Sequence, residues 1–263
     1  MIFAIRDKVR WEGLPYRERG GVPRVHARSQ ELFKRYQLHR WSRIWSVATY
    51  QEVLGTLDLL DRLPAQIGAG VSEALDVGAK NWRYLGALSS WLETRTAAPR
   101  LALTGIEIDA YRLYADLRTR KSYADYYIDT CRSSRLKLEY ISRDVRDFDH
   151  PCDLIFNFFP FLNEKPHRVW GLPQKLFDPR GFFEHLASLL PVGGPLILAH
   201  QGPWERDEAA KHLAPGMTQA FECEVTDSLH ASVYPIFLTV WTRDASGAPL
   251  ISAPKSTSPR SSC

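Results

Sequence analysis

The stretch Ser72-Glu73-Ala74-Leu75-Asp76-Val77-Gly78-Ala79-Lys80-Asn81 reads as a short apolar strand running into a glycine turn. Gly78 can adopt a left-handed backbone and lets a ligand approach the main chain closely. A helix is predicted next, over residues 81–95, and its first N–H groups would face an anion. Strand, glycine turn and helix make the first half of a βαβ unit.

The unit repeats along the chain. Apolar runs predict further strands at 101–108, 136–142, 152–157 and 195–199, with helices at about 109–132, 180–190 and 205–213. Two more strands, at about 218–227 and 233–242, are joined around Ser228 to Ser232 and read as a hairpin. One of that pair would run antiparallel to the rest. The expected fold is α/β, with a mostly parallel seven-stranded sheet and helices on both faces.

Open sheets of this kind bind ligands beyond the carboxyl ends of their strands. The residues there are Glu107-Ile108-Asp109, Arg143-Asp144-Val145, Asn157-Phe158-Phe159-Pro160 and His200-Gln201-Gly202. A strand-end carboxylate such as Glu107 suits a ribose, because it accepts from two hydroxyls at once. The residues alone also allow blander roles. Asp76 could cap the following helix, Glu107 could be a solvated acid, and Asp144 could pair with an arginine of its own Arg143-Asp144-Val145-Arg146-Asp147 cluster.

The whole series resembles the class I S-adenosylmethionine-dependent methyltransferases over about residues 70–243. The matching pieces are LDVGA at 75–79, TGIEID at 104–109, RDVRDF at 143–148, CDLIFN at 152–157 and LLPVGGPLIL at 189–198. The resemblance implies a Rossmann-like fold and S-adenosyl-L-methionine as cofactor. It implies that Asp76 and Gly78 border the methionine part and that Glu107 holds the ribose hydroxyls. By the same resemblance Asp144 accepts from the adenine amino group, Val145 contacts the ring through its backbone, and Ile108 packs against it. The chain departs from the family at Lys80, where a second glycine is usual. That side chain could pair with the methionine carboxylate or crowd the site. The interval from Glu107 to Asp144 is also long, which predicts an extended helix or an insertion. A nicotinamide-binding enzyme would need G-x-G-x-x-G, and Gly78-Ala79-Lys80-Asn81-Trp82-Arg83 lacks both later glycines.

Methyl transfer from a sulfonium is an in-line displacement of an already activated group, so alignment and water exclusion matter more than a catalytic triad. The candidates beside the acceptor are Asn157, which could hold an amine or amide, and His200, which could take a proton. Phe158, Phe159 and Phe161 could stack a planar acceptor, or serve as core. The stretch from Phe159 to Trp170 is loosely similar to a region of the tRNA guanine-N7 methyltransferases, at Phe159, Pro160, Lys165, His167 and Arg168.

Outward from this body the composition changes. Residues 1–45 carry eleven Lys/Arg against four acids, a net +7, which leaves −3 for the rest of a chain whose total is +4. Three regions follow: a basic N-terminal helical extension (1–70), the α/β domain (71–243) and a Ser/Pro-rich, flexible tail (244–263). In the extension Ser29 is the expected N-cap of one long helix reaching about Arg62. Phe33, Trp41, Ile44, Trp45 and Ala48 would form its apolar face, with Arg35, His39 and Arg43 opposite. Trp11 and Tyr16 add further aromatics. The basic face could meet RNA, or the extension could be a lid over a small-molecule acceptor. A non-catalytic binding protein on a degenerate methyltransferase fold is the third reading. The four cysteines are far apart and no metal-ligand spacing occurs, which fits reduced thiols in a cytoplasmic protein. No apolar run reaches the roughly 18 residues of a membrane helix.

Overall fold

The computed structural model describes residues 22–41, 44–213, 215–230, 232 and 234–245. Trp11, Tyr16, Arg43 and nearly all of the expected tail fall outside them.

Seven strands form one sheet: β1 (Glu73–Val77), β2 (Leu101–Ile106), β3 (Leu136–Ile141), β4 (Leu154–Phe158), β5 (Pro195–Gln201), β6 (Met217–Val225) and β7 (Ile236–Arg243). Their order is β3-β2-β1-β4-β5-β7-β6. Strands β1 to β5 pair in parallel, while β7 pairs antiparallel with both β5 and β6. The sheet is therefore mixed, with two antiparallel pairings at one edge. The chain order reverses at β1, where β2 lies on one side and β4 on the other, so the crevice for a ligand opens above β1 and β4.

Alternation along each strand sends side chains to two separate cores. On one face Ala74, Leu103, Phe156 and Val240 share a core with Trp91. On the other, Leu75, Val77, Ile155 and Leu196 pack with Phe183, Leu186 and Leu213. The helices supplying these layers are α1 (Val22–Arg35), α2 (Val47–Leu60), α3 (Leu85–Arg95), α4 (Arg120–Thr130), α5 (Glu164–Val169), α6 (Pro179–Leu189) and α7 (Pro203–Leu213).

The expected helix from Ser29 to Arg62 is broken in two. Helix α1 already runs through Ser29, and Gln37 then turns left-handed, with φ 51°. Ser46 is the residue that caps α2, its hydroxyl accepting from Thr49 N at 3.1 Å. The break changes the apolar face: Trp41 and Trp45 are buried and stacked 4.9 Å apart, whereas Ile44 and Ala48 are exposed. Leu32, Trp45, Leu54 and Leu57 join the same core as the sheet. A Cβ on Gly86 of α3 would come within 2.1 Å of the Trp45 ring, so this contact is close enough to require glycine.

Three arginines of the front, Arg28, Arg35 and Arg40, are turned toward acids. Arg28 meets Asp58 and Asp61, Arg35 meets Asp61 and Glu31, and Arg40 meets Glu93. The expected helix at 109–132 is also shorter. Residues 109–119 form a small turn structure with a Leu113–Thr119 bridge, and α4 begins only after the Thr119 cap. This is the insertion that the Glu107–Asp144 interval implied. Among the described residues, no helix is long and apolar enough to cross a membrane, and no cluster of three or more potential metal ligands occurs.

Candidate active site

A cavity of about 1000 Å³, counting the space open to solvent at its mouth, lies beyond the carboxyl ends of β1 to β4. Its floor gathers Gly78, Lys80, Glu107, Ile108, Asp144, Val145 and Asn157, which the sequence scatters over 80 residues. Asp76 and His200 do not line it.

The turn after β1 is tightly held. Gly78 has φ 76°, and its N–H and that of Ala79 both donate to Ile106 O, at 2.9 and 3.2 Å. Lys80 also adopts a left-handed backbone, φ 52°, as does Trp82, φ 53°. The backbone at this position is thus in the region that glycine adopts most readily, although the residue is lysine. The Lys80 N–H donates to Glu107 Oε2 at 2.9 Å. Helix α3 begins at Leu85, four residues later than expected. The N–H groups of residues 78–80 therefore serve the sheet and Glu107, so the anion cradle expected at a helix start at 81 is absent. Lys80 itself offers the compensating positive charge. Burial pulls its pKa down, while Glu52 and Glu107 oppose that shift.

The reason for the detour is Trp82. Its ring is fully buried over Gly105, where a Cβ would approach it to 2.8 Å. Its indole N–H donates to Asp76 Oδ2 at 2.7 Å, and Tyr84 donates to the same oxygen at 2.8 Å. Asp76 is fully buried behind these rings. Burial pushes its pKa up to about 7, although the Tyr84 and Trp82 hydrogen bonds pull the other way.

Glu107 is 6% exposed and anchored from three sides. Its Oε1 accepts from Asp109 N at 2.8 Å and from Arg120 Nη1 at 3.2 Å. Asp144 caps the single turn Val145–Asp147 and holds Arg146, whose Nε lies 3.1 Å from both carboxylate oxygens. Burial alone would raise the Asp144 pKa, but the Arg146 hydrogen bonds outweigh it and hold the carboxyl below its usual range. The local pairing weighed for Asp144 is present, and the residue lines the cavity as well. Asn157 donates to Val77 O at 2.9 Å, leaving its buried Oδ1 without a protein partner.

His200 lies inside β5, which extends through Gln201 and places the imidazole within the fold instead of at a strand end. It is fully buried, with Nε2 at 3.2 Å from Thr239 Oγ1. Burial lowers its pKa to about 4, so it is neutral at physiological pH. Its placement does not suit an acid–base group for a molecule in the cavity.

The far wall is foreseen in part, at Phe159, Phe161 and His167, whereas Trp170, Phe177 and Arg120 have no role in the sequence reading. Residues 159–178 supply Phe161, His167, Trp170 and Phe177 to the cavity, and Arg120 rises from α4. Phe159, Pro160 and His167 of the guanine-N7-like stretch line it, whereas Lys165 and Arg168 are exposed. Arg120 had no local signal: its neighbours in sequence carry no motif, and only the turn at 109–119 brings it to Glu107.

No protein-family profile matches the chain. No curated protein matches it either. Among solved structures, TrmN from Thermus thermophilus is similar over 73% of this chain and 48% of its own, at 16% identity and a TM-score of 0.49. The chain thus spans about half of that protein's length. A SAM-dependent methyltransferase from Aquifex aeolicus is similar over 81% of this chain and 98% of its own, at 16% identity and a TM-score of 0.49. A TehB-like SAM-dependent methyltransferase from Corynebacterium glutamicum is similar over 83% and 100%, at 14% identity and a TM-score of 0.44. The fold is Rossmann-like. That statement rests on the strand order itself, which runs 3-2-1-4-5 before the antiparallel hairpin.

Proposed function

We propose that this chain is an S-adenosylmethionine-dependent methyltransferase. The observation that carries the reading is the convergence of Gly78, Glu107, Ile108, Asp144, Val145 and Asn157 on one cavity at the switch point of the sheet. The residues fit a nucleoside bearing an amino-acid tail. Gly78 leaves room, since a Cβ there would meet nothing nearer than Asn157 Nδ2 at 3.9 Å. Asn157 Oδ1 and Arg120 Nε are buried polar atoms with no protein partner. Buried polar groups of this kind are normally satisfied, and a polar ligand would satisfy them.

When bound, S-adenosylmethionine supplies a methyl group already activated on a sulfonium. In this reading Glu107 accepts from one ribose hydroxyl at the single site that its three protein donors leave, on Oε2. Asp144 accepts from the base amino group, with Ile108 and Val145 against the ring. Lys80 faces the carboxylate of the tail. The apolar side chains Phe158, Phe159 and Phe161 exclude water from the reacting atoms. Asn157 Oδ1 accepts from an N–H or O–H of the acceptor.

The acceptor we favour is a small molecule. Arg28, Arg35 and Arg40, the described arginines of the basic front, are committed to ion pairs with Asp58, Asp61 and Glu93, and a phosphate backbone would have to compete for them. Titration calorimetry with S-adenosylmethionine and S-adenosylhomocysteine tests the cofactor reading. The expected result is binding by the wild type that falls at least tenfold in Glu107→Gln, about the contribution of one charge-assisted hydrogen bond. Absence of binding at millimolar ligand would favour the non-catalytic alternative. RNA binding that weakens steeply with salt would overturn the small-molecule choice.

A further inference from the structure

The wall formed by residues 160–178 differs from every other part of the cavity in how it is attached. It leaves β4 through Phe159, a non-glycine residue with φ 57°, and Gly171 turns left-handed with φ 72°. Its backbone hydrogen bonds are local, such as Trp170 N to Pro166 O and Leu172 N to His167 O. Its rings pack on one another: Phe161 lies 5.3 Å from Trp170, and His167 lies 5.5 Å from Phe177. Its two ends are fixed, by Leu162 in the core and by Asp178, which accepts from Gly181 N and Phe182 N. Between Asn163 and Phe177, among the described residues, one hydrogen bond reaches it from elsewhere, Arg112 Nη1 to Trp170 O at 2.6 Å.

Trp170 is also where three cations converge. Arg120 lies 4.5 Å from the ring centroid, Lys80 5.3 Å and Arg112 5.7 Å. Two of them belong to the nucleoside site: Lys80 through its N–H to Glu107, and Arg120 through its guanidinium to Glu107 and Asp109. Arg120 is almost fully buried and its Nε has no partner. An indole on a bed of cations is an attractive but reversible contact.

We propose that Trp170 is a positioning residue, the latch of a strap (160–178) that closes over the nucleoside end of the cavity, with Arg120 linking the latch to Glu107. This rests on the nucleoside reading of the site given above. The described arrangement is the latched one. A nucleoside reaches Glu107 when the indole lifts from Lys80 and Arg120. The returning indole then holds the ligand in place. Trp170 touches no reacting atom in this scheme; it sets how long the ligand stays.

Stopped-flow measurement of S-adenosylhomocysteine association and dissociation tests this, together with hydrogen exchange of the full chain. Trp170→Ala should raise the dissociation rate about tenfold or more, the scale of a desolvated cation–ring contact. Trp170→Phe, which keeps a ring, should recover most of the loss, and Trp170→Leu should not. Arg112→Gln removes an anchor outside the cavity lining and should shift dissociation in the same direction by less. Ligand should slow amide exchange in 160–178 of the wild type, and Trp170→Ala should cancel that protection while leaving the sheet unchanged. Binding with an unchanged dissociation rate in Trp170→Ala, or equal recovery by Leu and Phe, would overturn the latch alone. Absence of binding by the wild type would overturn the nucleoside reading and the latch with it.

Discussion

The two walls of the cavity are built from different materials. The sheet-side wall, from Gly78 to Tyr84 with Glu107 and Asp144, is a net of hydrogen bonds around a buried carboxyl. The strap-side wall is a cluster of rings resting on cations, anchored at its ends by Leu162 and Asp178 and tied between them, among the described residues, by one hydrogen bond from elsewhere. Each wall carries a tryptophan. Trp82 is fully enclosed and donates to Asp76, whereas Trp170 is half-buried and offers its face. The first wall is fixed by its hydrogen bonds, and the second is the one that the proposed latch would move. Local opening free energies follow this distinction, since they track buried contacts and hydrogen bonds.

The sharpest way to break that comparison is to truncate its two tryptophans. Trp82→Ala should cost about 5 kcal/mol in denaturant unfolding, the upper end for a large core deletion, because it also strips a donor from Asp76. A loss under about 2 kcal/mol would show that the sheet-side wall is not the rigid one. Asp76 comes next. Its folded pKa, about 7, lies above that of an unfolded aspartate, about 3.9, so the folded state binds the extra proton between those values. Its contribution is complete below the unfolded pKa and is lost as pH rises to about 7. Asp76→Asn should therefore gain stability relative to the wild type across that interval, by up to about 4 kcal/mol. Chemical denaturation at several pH values would show this; a difference independent of pH would sink it. His200 works in the opposite sense. Its lowered folded pKa adds stability above about 6.5 that is lost as pH falls toward 4, so the wild type partly masks both effects.

Lys80→Gly should raise stability by about 1 kcal/mol, because a left-handed backbone costs a non-glycine residue about that much. If Lys80 meets the ligand tail, the same variant binds S-adenosylhomocysteine more weakly in calorimetry. Unchanged affinity would leave the lysine a purely structural departure. Trp170→Ala should have the smallest effect on unfolding, under about 1 kcal/mol, since its ring is only partly buried and its ring neighbour Phe161 belongs to the same strap. A cost near that of Trp82→Ala would erase the distinction between the walls.

What could be read in advance follows the same division. Residues at strand ends are placed by the strand, and continuous apolar runs mark where the central strands run. Gly78, Glu107, Ile108, Asp144, Val145 and Asn157 were accordingly identifiable as neighbours before any coordinates. His200 failed because β5 runs two residues further than its apolar run suggests, carrying the imidazole inside the sheet. Helical phasing through 29–62 failed because it assumed one continuous axis. Gln37 and the Ser46 cap end that continuity, and neither residue type forbids a helix on its own. Arg120 and Trp170 were invisible for a further reason. Their roles come from contacts between segments about 50 residues apart, which no local pattern encodes.

The seat of Trp45 against Gly86 has a consequence for synthesis. During translation, α1 and α2 emerge before α3 and before the strands against which Leu54 and Leu57 pack. The first partner of these two helices, α3, is complete about 35 residues after α2, but the strands of the same core follow only through β4, about a hundred residues later. At roughly 5–20 residues per second, that is an exposure of several seconds. The amino-terminal helices thus wait for the strands of the core they share with the sheet.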